Sequence, residues 1–305
     1  MKCNEFFHRR EKPQLKFVPN HVPPDPKLVE RLSEYMLLAK HTLALTGAGM
    51  STESGLPDYR SEGVGLYART DRRPVDYQSF ISNDKSRQRY WARNFVGWPY
   101  FSRVQPNFGH RQLARWFDQN KISFIITQNV DRLHHRAGPG RILELHGNSH
   151  FVICLGCGHR ISRVELQQRL IDLNPDWKKI LETNTDVAPD GDMELRDDLV
   201  NEFQVPSCPK CTSGVLKPDV VFFGENLPPE RKIEAASWVD CTDLILCLGS
   251  SLQTFSSYRL LLQAHANRIP IVIVNIGPTR ADSLASLVLN AKISDTLRMV
   301  HSLVS

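Results

Sequence analysis

Four of the seven cysteines fall into two C-x-x-C pairs, Cys154 with Cys157 and Cys208 with Cys211. Each pair can hold two thiolates on one tight turn, and two such turns make the tetrahedral S₄ site that zinc prefers. Four protein ligands leave no open coordination position, so the spacing predicts a structural metal rather than a catalytic one. The bland alternative is four buried free thiols. Cys241 and Cys247 lack a partner pattern, and Cys247 sits inside an apolar run as a core residue would. An odd cysteine count, in a chain too long to need a disulfide framework, points to a reducing compartment.

A second kind of chemistry gathers where apolar runs end. Leu43 to Leu45 run into Gly47-Ala48-Gly49, a turn where backbone N–H groups can approach phosphate closely. The turn is not a dinucleotide fingerprint of the dehydrogenase kind. Thr52 stands where the third glycine belongs, and no acidic strand end follows about 20 residues on. SFIITQ (123–128) runs into Gln128-Asn129-Val130-Asp131, whose amides and carboxylate suit a carboxamide and ribose hydroxyls. Gly249-Ser250-Ser251 and Asn275-Ile276-Gly277 follow two further apolar runs. A lone G-x-G is often an ordinary turn, and Asn and Asp often just cap loops. Four such ends together are stronger evidence, because α/β sheets bind ligands at their strands' carboxyl edge. His146, before Gly147, is a candidate general base with an ordinary pKa near ~6.5. On spacing alone His110, His134, His135 and His150 compete with it.

These residues must be carried by an α/β framework. The chain has 305 residues, enough for one large domain with a smaller one inserted. Its 41% hydrophobic and 23% charged content is ordinary for a globular protein. No apolar run reaches the ~20 residues of a membrane span. The net charge of +5 suits a small anionic ligand and does not argue for nucleic acid. Residues 1–24 read as an arm. Lys2, Arg9, Arg10, Lys12 and Lys16 outnumber Glu5 and Glu11, which fits either a transit-peptide remnant or a basic tail. Asp25-Pro26 opens a helix to about Lys40. From 61 to 105 basic residues interleave with Tyr90, Trp91, Phe95 and Trp98, better read as a helical module with an aromatic core than as a nucleic-acid surface. A short segment, RILELHG (141–147), follows SFIITQ, and strands are expected at DVVFFG (219–224), DLILCLGS (243–250) and IPIVIVNIG (269–277), with a helix near 256–267 and a helix and short strand in the tail. Strand and helix alternating through the chain predict a parallel sheet with helices on both faces.

Together these motifs resemble the sirtuins, NAD-dependent protein-lysine deacylases and mono-ADP-ribosyltransferases. GAGMSTESGLPDYR, TQNVDRLHHRAG, ELHG, the cysteine pairs, KPDVVFFGE, GSSLQ and NIG occur in the family's order over about residues 28–300. RQRYWARNFVGWP, APDGD and NIGPTRADSL look like the class II, mitochondrial sirtuin-four type. The resemblance implies a Rossmann-like domain (25–148 and 217–305, with the helical module) and a zinc-binding small domain (149–216) carrying a long insertion at 160–206. Gly47, Ala48 and Gly49 would hold the pyrophosphate of NAD. Glu53, Asp58, Tyr59, Arg60 and Tyr67 would serve the cofactor from its loop. Gln128, Asn129, Val130 and Asp131 would hold the nicotinamide and its ribose. Gly249 to Ser251, Asn275 to Gly277 and Ile293 would take phosphate and adenosine. Val221, Phe222, Phe223, Gly224 and Glu225 would pair with substrate as an added strand.

Asn129 and His146 would be catalytic. The acyl oxygen attacks the ribose C1′ and nicotinamide leaves. His146 then deprotonates a ribose hydroxyl, and water releases lysine and O-acyl-ADP-ribose. The implied function is an NAD-dependent deacylase with a non-acetyl preference. A mono-ADP-ribosyltransferase or an NAD-sensing binding protein is the alternative. The implied cofactors are NAD and zinc, and the implied partners are acyl-lysine proteins, metabolic enzymes among them, in the mitochondrial matrix; nucleic acid and membrane are not expected. Two departures stand out. The insertion between the cysteine pairs is long enough to reach the active site, and Tyr67, Arg69, Arg72 and Arg73 could meet a carboxylate-ended acyl group or be plain surface charge.

Overall fold

The structure, a computed structural model, describes residues 16–71, 73–180, 187–193, 195 and 200–304. The charged residues from Lys2 to Lys12, Arg72, and Asp186, Glu194, Asp197 and Asp198 of the acidic insertion lie outside them.

The first helix starts where its cap signal stands. The Asp25 carboxylate accepts from the Lys27 N–H at 2.9 Å, Pro26 takes the first turn, and α1 runs Pro26–Leu38. The other helices are α2 (Leu66–Arg69), α3 (Tyr77–Ser82), α4 (Asp84–Phe101), α5 (Phe108–Asp118), α6 (Leu133–Ala137), α7 (Arg163–Leu173), α8 (Pro229–Asp240), α9 (Phe255–Ala266) and α10 (Ile293–Val304). The strands are β1 (Thr42–Thr46), β2 (Phe124–Thr127), β3 (Ile142–Glu144), β4 (Gly147–Cys154), β5 (Arg160–Ser162), β6 (Leu216–Val220), β7 (Leu244–Leu248), β8 (Ile271–Asn275) and β9 (Leu287–Asn290).

Six strands form one parallel sheet in the order β3-β2-β1-β7-β8-β9. Side chains alternate across a strand, so each apolar run feeds both faces. Ala44, Leu244, Leu246 and Val272 pack under Leu32 of α1, Trp116 of α5 and Leu297 of α10. Leu43, Leu45, Ile245 and Ile273 pack the other way, under Val239 of α8 and Leu261 of α9. The chain builds outward from β1 to one edge and from β7 to the other. β1 and β7 are therefore neighbours at the switch point, where such sheets open a crevice for ligand.

The run 219–224 does not join this sheet. Its strand is β6, which begins at Leu216 and pairs antiparallel with β4, completing a three-stranded sheet β5-β4-β6. Periodicity could not separate the two sheets, because a buried strand reads alike in either. The small sheet and the helical module share one core. Trp91, Phe95 and Phe101 of α4 pack with Val152, Ile161, Leu170 and Leu216, and the Trp91 indole N–H donates to the Leu216 carbonyl at 3.1 Å. The aromatics that interleave with arginines in sequence are thus core. Arg163 is buried among them, donating to Asn94 Oδ1 at 2.8 Å and Gln167 Oε1 at 2.7 Å, with its guanidinium 4.9 Å over the Trp98 ring. Among the described residues no helix is long and apolar enough to cross a membrane.

Candidate active site

At the switch point the turns after β1 and β7 are in backbone contact. Gly47 N–H donates to the Leu248 carbonyl at 3.1 Å and Gly49 N–H to the Gly249 carbonyl at 2.9 Å. Gly249 has φ +60°, and a Cβ there would lie 2.5 Å from the Met50 nitrogen. Only glycine lets the two turns close this far. The chain then winds through a 3₁₀ turn, Ala48–Ser54, beside a cleft of about 1560 Å³. That exceeds the roughly 300–1,000 Å³ of a pocket for one drug-sized molecule, leaving room for a dinucleotide and a second ligand.

Gln128, Asn129 and Asp131 stand at the end of β2 and are held by hydroxyls and backbone. Asn129 Nδ2 donates to the Gly47 carbonyl at 2.9 Å and to Ser51 Oγ at 3.1 Å. Ser51 Oγ–H donates to the Asp131 carboxylate at 2.6 Å. Burial pushes the Asp131 carboxyl above its usual range, and the Ser51 hydrogen bond opposes the shift. Gln128 Nε2 donates to Ser250 Oγ at 2.8 Å, while its Oε1 accepts from Thr254 Oγ1 at 3.1 Å.

His146 closes this group between β3 and β4. Its Nδ1 lies 3.1 Å from the Gln128 carbonyl, which can only accept, so Nδ1 carries the proton. Nε2 is then a free lone pair, 2.8 Å from Ser256 Oγ on the cleft wall. Burial pushes the imidazole down to about 4, so it is neutral at physiological pH. Gly147 follows with φ +76°, and a Cβ there would meet the Asp219 carbonyl oxygen at 1.9 Å. The ring's backbone is thereby locked against β6. The His146 carbonyl accepts from the Val221 N–H at 2.8 Å, so the candidate base and the candidate substrate segment share a hydrogen bond. The competing His110 and His134 are buried with rings 4.8 Å apart, away from the cleft lining.

Most of the expected site residues meet here. Ala48, Gly49, Glu53, Asp58, Tyr59, Arg60, Val130, Val221 to Glu225, Gly249 to Ser251, Asn275 to Gly277 and Ile293 all line the cleft. Glu53 also accepts from the Ser294 N–H at 3.2 Å, in the first turn of α10. Asp58 accepts from the Arg60 and Ser61 N–H groups, tying the cofactor loop to itself. Gly47 lies beneath the surface, spent on Leu248 and Asn129. Tyr67 is not at the wall: it packs behind Tyr59 with ring centroids 5.7 Å apart and Arg73 stacked on it at 4.6 Å. Arg69 turns away as well, donating to the Val64 carbonyl and covering the Phe17 ring. At Phe222 the backbone N–H donates to the Glu225 carboxylate at 2.8 Å, and Phe223 pairs with Asp76 in a parallel bridge.

Sequence reasoning missed Ser51, Thr254 and Ser256, the hydroxyls that hold the amides and the imidazole. Ser51 stands close behind the first glycine turn, in STES, whereas Thr254 and Ser256 lie well past Gly249, where no spacing marks them. The insertion, expected to be long enough to reach the active site, does so with two of its described residues. Within it Ala188–Asp192 forms a tight turn that brings Pro189 and Asp190 to the cleft, beside Tyr90 and Phe222.

A profile described as the Sir2 family matches residues 47–256. The mitochondrial NAD-dependent protein lipoamidase sirtuin-4 of Bos taurus is 50% identical over 93% of this chain and 89% of its own length. This chain belongs to the Sir2 family. The human protein of the same name is 49% identical over the same shares, and the NAD-dependent protein deacylase Sirt4 of Drosophila melanogaster is 47% identical over 92% of this chain and 89% of its own. Among solved structures, a Sir2–p53 peptide–NAD⁺ complex superposes with a TM-score of 0.70 at 30% identity, covering 90% of this chain and 97% of that one. The sirtuin fold accounts for the inserted small sheet. Its thiol groups Cys154, Cys157, Cys208 and Cys211 lie within 4.8 Å of one another, with Cys154–Cys211 at 3.6 Å and Cys157–Cys208 at 3.8 Å. A tetrahedron with Zn–S bonds of about 2.3 Å has edges of about 3.8 Å, so the four thiolates fit zinc and close its coordination. The glycine turns likewise fit the phosphates of NAD.

Proposed function

We propose a division of labour for these residues in removing acyl groups from protein lysines. The protein is an NAD-dependent protein deacylase. NAD, consumed as co-substrate, supplies nicotinamide as leaving group and ADP-ribose as acyl acceptor. Ala48, Gly49 and Gly249 to Ser251 present backbone and hydroxyl groups to its phosphates. Asn275 to Gly277 and Ile293 bound the adenosine end. Asn129 and Asp131, held rigidly by Ser51, orient the nicotinamide ribose, and Gln128 faces its hydroxyls. His146 is the general base. The observation that carries this is its tautomer: with Nδ1–H spent on Gln128, Nε2 is left as the proton-accepting nitrogen of a cleft-lining residue, with the Ser256 hydroxyl as its partner.

Val221 to Glu225 take the substrate backbone, and the acyl chain enters between Val130, Tyr90, Phe222 and Pro189. Those side chains are largely apolar and a turn of the insertion, Pro189 with Asp190, joins them in the cleft lining, which supports an acyl group larger than acetyl. Two relatives carry the name lipoamidase, and we extend a lipoyl-type preference to this chain. Its substrates are acyl-lysine proteins; we assign metabolic enzymes of the mitochondrial matrix, since those relatives are named as mitochondrial.

Mass spectrometry after incubation with NAD and a panel of acyl-lysine peptides tests the reading. O-acyl-ADP-ribose and nicotinamide are expected, greatest for lipoyl-type peptides. His146→Ala should lower product at least about 100-fold without loss of fold. ADP-ribose attached to protein would turn the assignment to transfer, and untouched NAD would turn it to a binding module.

A further inference from the structure

Ser256 belongs to no motif in the sequence, yet it is the direct partner of the base. It sits in the first turn of α9, half-buried in the cleft wall, with Oγ 2.8 Å from His146 Nε2. Since Nδ1 already holds the ring's proton, the only polarity open to this contact is Ser256 O–H donating to the Nε2 lone pair. The ring is therefore held at both nitrogens, by a carbonyl from the β2 end and by a hydroxyl from the first turn of α9. With one anchor an imidazole can swing about its Cβ; with two it keeps one plane.

We infer that Ser256 is a positioning residue for the base, which orients the neutral imidazole at rest and becomes the acceptor for Nε2–H once the ring has taken the substrate's proton. The inference rests on the role given to His146 above. Nε2 has a single lone pair, so the Ser256 O–H turns off it as the ribose hydroxyl arrives; the ribose O–H bond then breaks and an Nε2–H bond forms. The proton leaves to water when the product departs. Rotation about the Ser256 Cβ–Oγ bond turns a lone pair toward the new N–H, and no heavy atom need move.

The site makes that acceptor matter. His146 is deeply buried, and the Arg231 guanidinium opposes a second cation; burial first and that charge second push its pKa down, to about 4, against the hydrogen bond to Gln128. Arg231 is itself paired with Asp219 at 2.9 Å, so that carboxylate is already engaged. A hydrogen bond to an ionised donor is roughly twice as strong as its neutral counterpart. Ser256 thus stabilises the protonated ring more than the resting ring, and differential stabilisation of this kind raises the rate.

Two readings of one assay test this. Exchange of labelled nicotinamide into NAD needs only the first bond cleavage, whereas O-acyl-ADP-ribose needs the base. In Ser256→Ala, product formation should fall roughly tenfold while exchange holds within about twofold. Ser256→Thr, which keeps the hydroxyl, should restore most of the product rate. In ¹⁵N spectra of the cofactor-free enzyme, the His146 Nε2 signal should move toward that of a free lone pair in Ser256→Ala and return in Ser256→Thr. Wild-type product formation by Ser256→Ala overturns the inference, and so does an equal fall in exchange and product. A wild-type enzyme that performs neither reaction counts against the function proposed above, and one that exchanges nicotinamide without forming product counts against the base assignment.

Discussion

In the parallel sheet, β1, β2 and β7 are buried along their whole length, with apolar helices on both faces. In the small sheet, β5 buries only its middle residue and β4 is half-exposed in places. Three strands with one covered face are about the least that can be stable alone. That sheet is held by other means: aromatics of α4, the buried Arg163 with its amide partners, and four thiolates fit for zinc. One region is stabilised by apolar area alone, the other by a shared apolar core together with a few directional groups. Loss of any one of those groups should therefore be local and severe, while damage to the first region should be global and graded.

The largest break in that contrast should come from the metal. Structural zinc contributes on the order of 10 kcal/mol to small modules. Cys154→Ser should lower bound zinc from one per chain toward none and abolish deacylation. Hydrogen exchange should rise throughout β4 to β6 while β1 and β7 stay protected. Equal loss of protection in both sheets would erase the distinction. Next comes Leu246→Ala, a cavity at a fully buried position between sheet and helices. Denaturant unfolding should show a cost of about 3–5 kcal/mol shared by the whole chain.

Acid should divide the regions more finely. Burial depresses His134 to about 3 and both His146 and His150 to about 4, against ~6.5 unfolded. Their folded pKa values lie below the unfolded ones, so the unfolded chain binds protons first. The stability of their neutral burial is complete above about pH 6.5 and is lost as pH falls toward 4. Each proton gives a slope of up to about 1.4 kcal/mol per pH unit, read from denaturant midpoints at about pH 7.5 and about pH 5. His134→Gln should flatten the loss on the parallel-sheet side and His150→Gln on the small-sheet side. The smallest effect is expected at the α1 cap, where Asp25→Ala removes the bond to Lys27 and costs about 1 kcal/mol.

The parallel sheet was legible because its strands are long apolar runs ending in glycine or amide turns, and every such end lies at one edge of the sheet. The thiolate site was legible because C-x-x-C spacing is set by turn geometry. What escaped was less periodic. β6 looked like one more parallel strand, because apolarity carries no information about pairing partner. The substitution of Tyr67 into the cofactor wall failed because neighbours along a loop need not share a direction. Ser51, Thr254 and Ser256 were invisible as ligand holders, since a hydroxyl acts here through a geometry that only the fold creates.

β4 has a consequence that neither sheet has alone. Its first residue, Gly147, follows the proposed base, His146, and its last, Cys154, is one of the four clustered thiols that fit zinc. β6, its antiparallel neighbour, starts just after Cys211 and ends at Val220, against the segment proposed to hold substrate. The two strands make a lever about 25 Å long, clamped by an ion at one end and bearing the reactive groups at the other. Whatever loosens the clamp, whether a chelator or an oxidant of thiols, would move His146 and Val221 together. Metal status in the cell would then be felt as a change in turnover, although the ion stands far from any bond being made.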